Sequence, residues 1–96
     1  MKARDKSYEA STIAAMRNPV EAAAYLEAVI ELDDPAPLLV ALRQIAKAHG
    51  MAEVARRAEL GEKTLFRALS GKGNPTLATV YKLLHAVGLR LSVTPA

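Results

Sequence analysis

Apolar residues recur at intervals of three and four through most of this chain, and each run stops at a cluster of breakers. That spacing predicts helices. Leu38, Leu39, Leu42, Ile45 and Ala46 form one stripe. Val54, Ala55 and Ala58 form a second, Leu65, Ala68 and Leu69 a third, and Leu77, Val80, Leu83, Leu84 and Val87 a fourth. A further helix is expected from Pro19 to about Glu31, with Asn18 as N-cap, proline at the first helical position and Glu21 at N3. Val20, Ala23, Leu26, Val29, Ile30 and Leu32 spread around it, more apolar surface than a lone surface helix shows. Between these runs, Asp33-Asp34-Pro35-Ala36-Pro37 stops one helix and caps the next. Gly50 ends that next helix, with Lys47 and His49 near its negative end. Gly71-Lys72-Gly73-Asn74-Pro75 is a loop. Thr76 caps the last helix and Gly88 ends it.

After Gly88 the period changes. Leu89, Leu91 and Val93 alternate with Arg90, Ser92 and Thr94, which predicts one short strand. The chain thus reads as all-α, with about five helices and a short C-terminal β-strand. A lone strand needs a partner, and the chain offers no second one. A symmetric dimer pairing Leu89, Leu91 and Val93, or addition to a partner's sheet, is therefore expected. Ahead of the first clear helix, residues 1–7 form a charged tail, and Tyr8, Ile13 and Met16 offer an anchor onto the rest.

The second and third stripes lie on two short helices joined by Glu59-Leu60-Gly61. Gly61 relaxes the backbone where the chain reverses, Ala55 is small enough for the helix crossing, and Leu60 plugs the gap beneath. This is the pattern of a helix-turn-helix, whose second helix enters the DNA major groove. Base reading then falls to Glu62, Lys63, Thr64, Phe66 and Arg67. Arg67 and Lys63 can donate to guanine, Glu62 can accept from cytosine, and Thr64 and Phe66 can touch a thymine methyl. Phe66, the one phenylalanine, equally suits the core. Phosphates are expected at the N–H groups of Met51 and Ala52, where a helix start favours an anion, and at Lys72, Asn74 and Thr76, with Gly71 and Gly73 letting the loop approach the sugar-phosphate. Arg56 and Arg57 diverge by about 100°, so one of them, Arg56, joins the phosphate set.

On these residues the segment Leu38–Val93 resembles the phage-repressor (Cro/CI) type of helix-turn-helix domain. More narrowly, it is similar to the HigA-like antitoxins of addiction modules. The resemblance is carried by residues 55–70, by Gly-Asn-Pro-Thr at 73–76 and by Gly-Leu-Arg-Leu-Ser-Val at 88–93. It implies a lambda-repressor-like bundle over residues 35–96, preceded by an arm, residues 1–34, that contains an acidic amphipathic helix. One departure stands out. Such domains carry glycine at the turn position held here by Glu59 and serine where Gly61 stands, so the second helix lacks a side-chain N-cap.

Charge divides the chain in the same place. Residues 1–34 hold four bases and seven acids, and residues 35–96 hold nine bases and three acids, within a net charge of +3. A basic domain attracts a polyanion. The acidic arm is repelled by one and invites a basic partner. Residues 18–34 carry five acids and no base, so this helix can lie in a groove on such a partner. Glu21, Leu26, Glu27, Ile30 and Glu31 are its candidate contacts. The other reading of the helix is that it packs onto the domain and completes its core. The resemblance implies that the partner is a small basic toxin of the RelE/ParE type (HigB-like).

The remaining inventory excludes more than it adds. There is no cysteine, hence no disulfide framework and no thiolate metal site, which fits the reducing cytoplasm. No apolar run reaches the ~20 residues of a membrane span, and no signal peptide is visible. His49 reads as a helix-end cation, His85 as a solvated residue and Asp33-Asp34 as a cap. Gly71-Lys72-Gly73 lacks the spacing of a P-loop. No enzyme, metal, cofactor or small-molecule ligand is expected. The leading expectation is a dimeric, DNA-binding antitoxin that represses its own operon at an inverted repeat. The alternative is a stand-alone phage-type repressor without a toxin. A third class, an interaction adaptor with a vestigial helix-turn-helix, is disfavoured by the basic surplus of the domain.

Overall fold

The computed structural model describes residue 11 and residues 13–96. A helical segment ends at residue 15 and is followed by five helices: α1 (Pro19–Ile30), α2 (Pro35–His49), α3 (Met51–Ala58), α4 (Glu62–Ala68) and α5 (Leu77–Ala86). The described residues are all-helical, as the periodicity predicts. The expected caps form. Asn18 Oδ1 accepts from the N–H of Val20 at 2.9 Å and of Glu21 at 3.4 Å. Asp34 Oδ1 accepts from Ala36 N–H at 3.0 Å, and Thr76 Oγ1 from Thr79 N–H at 3.1 Å. Each satisfies an N–H group that the first turn of a helix leaves without a partner.

One core joins all the helices. Ile45, Val54, Leu65, Leu69 and Leu83 are fully buried at its centre, and Met16, Ala22, Leu26 and Val29 belong to the same cluster. Each large side chain so buried contributes about 1.5–3 kcal/mol. α1 packs on α2, and α3 packs on α2, α4 and α5. Tyr25 Oη donates to Gln44 Oε1 at 2.8 Å, tying α1 to α2. The core therefore runs across the boundary expected at residue 34. Of the expected anchor, Met16 is buried and Ile13 half-buried, while Tyr8 lies outside the described residues.

The expected C-terminal strand is absent: residues 89–96 have no regular structure. The reason is how α5 ends. Gly88 takes φ 82°, and Leu89 N–H donates back to Leu84 O at 2.8 Å while Gly88 N–H donates to His85 O at 3.1 Å. This is a Schellman closure, whose following apolar residue turns onto the helix end. Leu89 accordingly packs against the core and leaves the alternation of its neighbours, and the described chain supplies no second strand. Leu91 and Val93 remain exposed. A smaller correction concerns Leu77, expected in the core stripe of the last helix but 63% exposed.

Candidate nucleic-acid interface

The turn between α3 and α4 closes in the same manner. Leu60 N–H donates to Ala55 O at 2.9 Å and Glu59 N–H to Arg56 O at 3.2 Å. Glu59 sits in the left-handed region at φ 57°, ψ 44°. Leu60 packs against the core, and Ala55 is 3% exposed beneath the turn. The strained residue is thus Glu59. Gly61 is extended at φ −67°, ψ 142° and gives α4 no side-chain cap, so the freedom expected of that glycine is not used.

Leu65 is the anchor of α4, fully buried. It turns the other side chains outward: Glu62, Lys63, Thr64, Phe66 and Arg67 are all exposed. Phe66, for which the core was the other expectation, is 60% exposed. A hollow of about 310 Å³ lies beside it, lined by Val40, Arg43, Gln44 and Lys47 of α2 together with Ser70. Two α2 cations therefore border the α4 surface. Arg43 also donates through Nη1 to Leu69 O at 3.1 Å, holding the end of α4. Nothing in the sequence pairs Arg43 with a carbonyl 26 residues away, so its role is visible only in the fold. Lys47 was readable as a helix-end charge, and only packing sets it beside Phe66.

The expected phosphate contacts separate. Among the described residues α3 begins without a side-chain cap at its N–H end, with Ala52 exposed and Met51 half-buried. Arg56 pairs with Glu53 through Nε at 3.1 Å and Nη2 at 2.6 Å, but its side chain is 71% exposed. Arg57 takes the structural part, donating to Glu53 Oε2 at 2.8 Å and to Ala86 O at 3.4 Å. The two guanidiniums hold the Glu53 carboxyl well below the usual range, at about 2. Lys72, Asn74 and Thr76 are exposed. Gly73 has a packing role within the chain: a Cβ there would collide with the Ala68 carbonyl oxygen and lie 2.5 Å from that of Arg67. The loop is pressed on the end of α4.

On the arm, Glu21, Glu27, Ile30 and Glu31 are exposed, whereas Leu26 is 8% exposed and belongs to the core. Leu26 packs in the core with Ala22 and Val29 and also lines the groove that runs along α1 and α2. His49, expected as a helix-end cation, has its Nε2 buried without a hydrogen-bond partner among the described residues. Burial, with Arg57 and Arg17 nearby, lowers its pKa below 6.5, so the charged form is disfavoured. Among the described residues no acidic, histidine or cysteine cluster could hold a metal ion, and no helix is long and apolar enough to cross a membrane.

The chain matches the family described as "probable addiction module antidote protein" over residues 7–95. An uncharacterized protein of Haemophilus influenzae is 42% identical over 69 residues, covering 72% of this chain and 71% of that protein. No solved structure matches the chain significantly.

Proposed function

Because the chain belongs to the family of probable addiction module antidote proteins, we propose that it is a DNA-binding antitoxin that represses its own operon and neutralises a small basic toxin. In this reading α3, its turn and α4 are a helix-turn-helix of the Cro/CI, HigA-like type, with α4 in the major groove. The observation that carries it is the α4 surface: five exposed side chains able to read base edges stand on a seven-residue helix held from below by Leu65. Glu62, Lys63, Thr64, Phe66 and Arg67 contact bases. The N–H groups of Met51 and Ala52, with Arg56, Lys72, Asn74 and Thr76, contact phosphates. Two copies bind an inverted repeat with their α4 helices ~34 Å apart, and exposed Leu77 and Tyr81 of α5, one turn apart, support a dimer contact alongside Val93. The toxin partner, of the RelE/ParE (HigB-like) type, is suggested by the resemblance of the chain and by the acids of α1. Repression is occlusion of the promoter, and toxin binding changes DNA affinity through linkage. No catalytic step is involved.

The test is fluorescence anisotropy with the DNA immediately upstream of the chain's own reading frame and with a scrambled duplex. Arg67→Ala weakens binding to the upstream DNA by ~1–3 kcal/mol and leaves the scrambled duplex nearly unaffected. Equal loss on both would make Arg67 a phosphate contact, and no preference by the unaltered chain would remove operator recognition. The packing of α1 into the core favours one other reading, a stand-alone phage-type repressor whose arm is structural. Co-expression with the neighbouring reading frame separates the two, since only an antitoxin co-purifies with its product.

A further inference from the structure

On the side bounded by α1, α2, the loop Gly73–Pro75 and the segment after Gly88 lies an open groove of about 760 Å³. Its floor is core: Leu26, Leu42 and Leu84 are buried. Along it lie apolar side chains that the described chain leaves uncovered, among them Ile30, 53% exposed, and Leu91, 39% exposed. Its charged lining is Glu27 on α1, Glu31 at the C-cap of that helix, and Arg90 of the segment after Gly88. Glu27 and Glu31 make no ion pair among the described residues.

We infer that this groove is where the protein partner docks, and that it takes an amphipathic helix with an apolar face flanked by lysine or arginine. The inference rests on the antitoxin reading above and gives that partner's contact a place and a chemistry. Apolar floor and exposed apolar lining call for an apolar stripe. Carboxylates four residues apart, about 6 Å along the axis, match bases four residues apart on a helix lying beside α1. A polyanion is repelled by the same two acids. A second copy of α1 is repelled as well, because that helix contains no base and would set acid against acid. The groove also reaches Asn74, a proposed phosphate contact, so its occupant touches the loop beside the DNA.

The test uses the full chain and a synthetic helical peptide with leucine along one face and lysine beside it. In NMR titration the peptide shifts the amides of Ile30, Leu39 and Leu91. A peptide of the same composition, scrambled to destroy the stripe, binds about tenfold more weakly or worse, and so does the first peptide to the Glu27→Lys/Glu31→Lys chain. That double variant keeps its melting temperature, because both positions are exposed, and its operator binding is not weakened. Equal binding of the scrambled peptide, shifts confined to other surfaces, or contacts into the groove from residues 1–10 or from a second copy would overturn the proposal. Co-expression with the neighbouring reading frame distinguishes its failure from that of the antitoxin reading. Co-purification that the double variant leaves unchanged removes the groove and keeps the antitoxin. No co-purification even with the unaltered chain removes both.

Discussion

At the scale of single residues, the tightest constraints are not where the side chains alone suggest. Glu59 occupies the left-handed region, where a residue with a Cβ loses about 1–2 kcal/mol. The Schellman closure and the burial of Leu60 hold it there. The glycine two places on is conformationally ordinary, so its effect is to leave α4 uncapped. His49 makes the other residue-scale prediction. Its pKa is lowered in the folded chain, so the unfolded chain takes up the proton first as pH falls. Stability is then fully present above about 6.5 and declines below it. Melting temperatures measured from about pH 8 to about pH 5 should fall across that window, and His49→Leu should flatten the fall. An unchanged slope in the variant would show that His49 is not the group responsible. Glu53, held at about 2 by Arg56 and Arg57, has the same sign at lower pH: its pairing is lost as pH falls through the acid range.

At the scale of elements, the loop after α4 shows how two glycines in one short motif differ. Gly71 faces open space, and Gly73 lies against the carbonyls that end α4. Gly73→Ala should therefore cost about 1–3 kcal/mol by forcing backbone apart, whereas Gly71→Ala should be neutral or slightly stabilising through the unfolded chain. Thermal melts of the two variants check this. A similar loss in both would mean the loop does not rest on α4. Since the same loop holds Lys72 and Asn74, Gly73→Ala should also weaken DNA binding in the proposed interface.

At the scale of the whole molecule, α1 belongs to the same core as α3 to α5. Met16, Leu26 and Val29 each contribute about 1.5–3 kcal/mol when buried, a sum comparable to the ~5–15 kcal/mol stability of a whole domain. A fragment of residues 35–96 should thus fail to fold, giving a circular dichroism spectrum with little cooperative melting. A fragment that melts cooperatively near the temperature of the full chain would restore a separate arm. The same packing assigns the two faces of α1: Ala22, Leu26 and Val29 inward, Glu27, Ile30 and Glu31 outward.

The sequence by itself determined the helices, their caps and the two-helix motif, because these depend on spacing and on chemistry within a few residues. Asn18, Asp34 and Thr76 cap what they precede, and Leu65 is buried as its stripe requires. The outward positions of Glu62, Lys63, Thr64 and Arg67 on α4 follow from the same period. Tertiary structure alone decided which of two eligible surfaces each element buries. Phe66 could enter the core by composition, yet Leu65 and Leu69 already fill it. Leu89, Leu91 and Val93 alternate like a strand, but a ladder requires a partner backbone and the end of α5 takes Leu89 first. Arg57 and Arg43 find carbonyls 29 and 26 residues away, a pairing that no local pattern encodes.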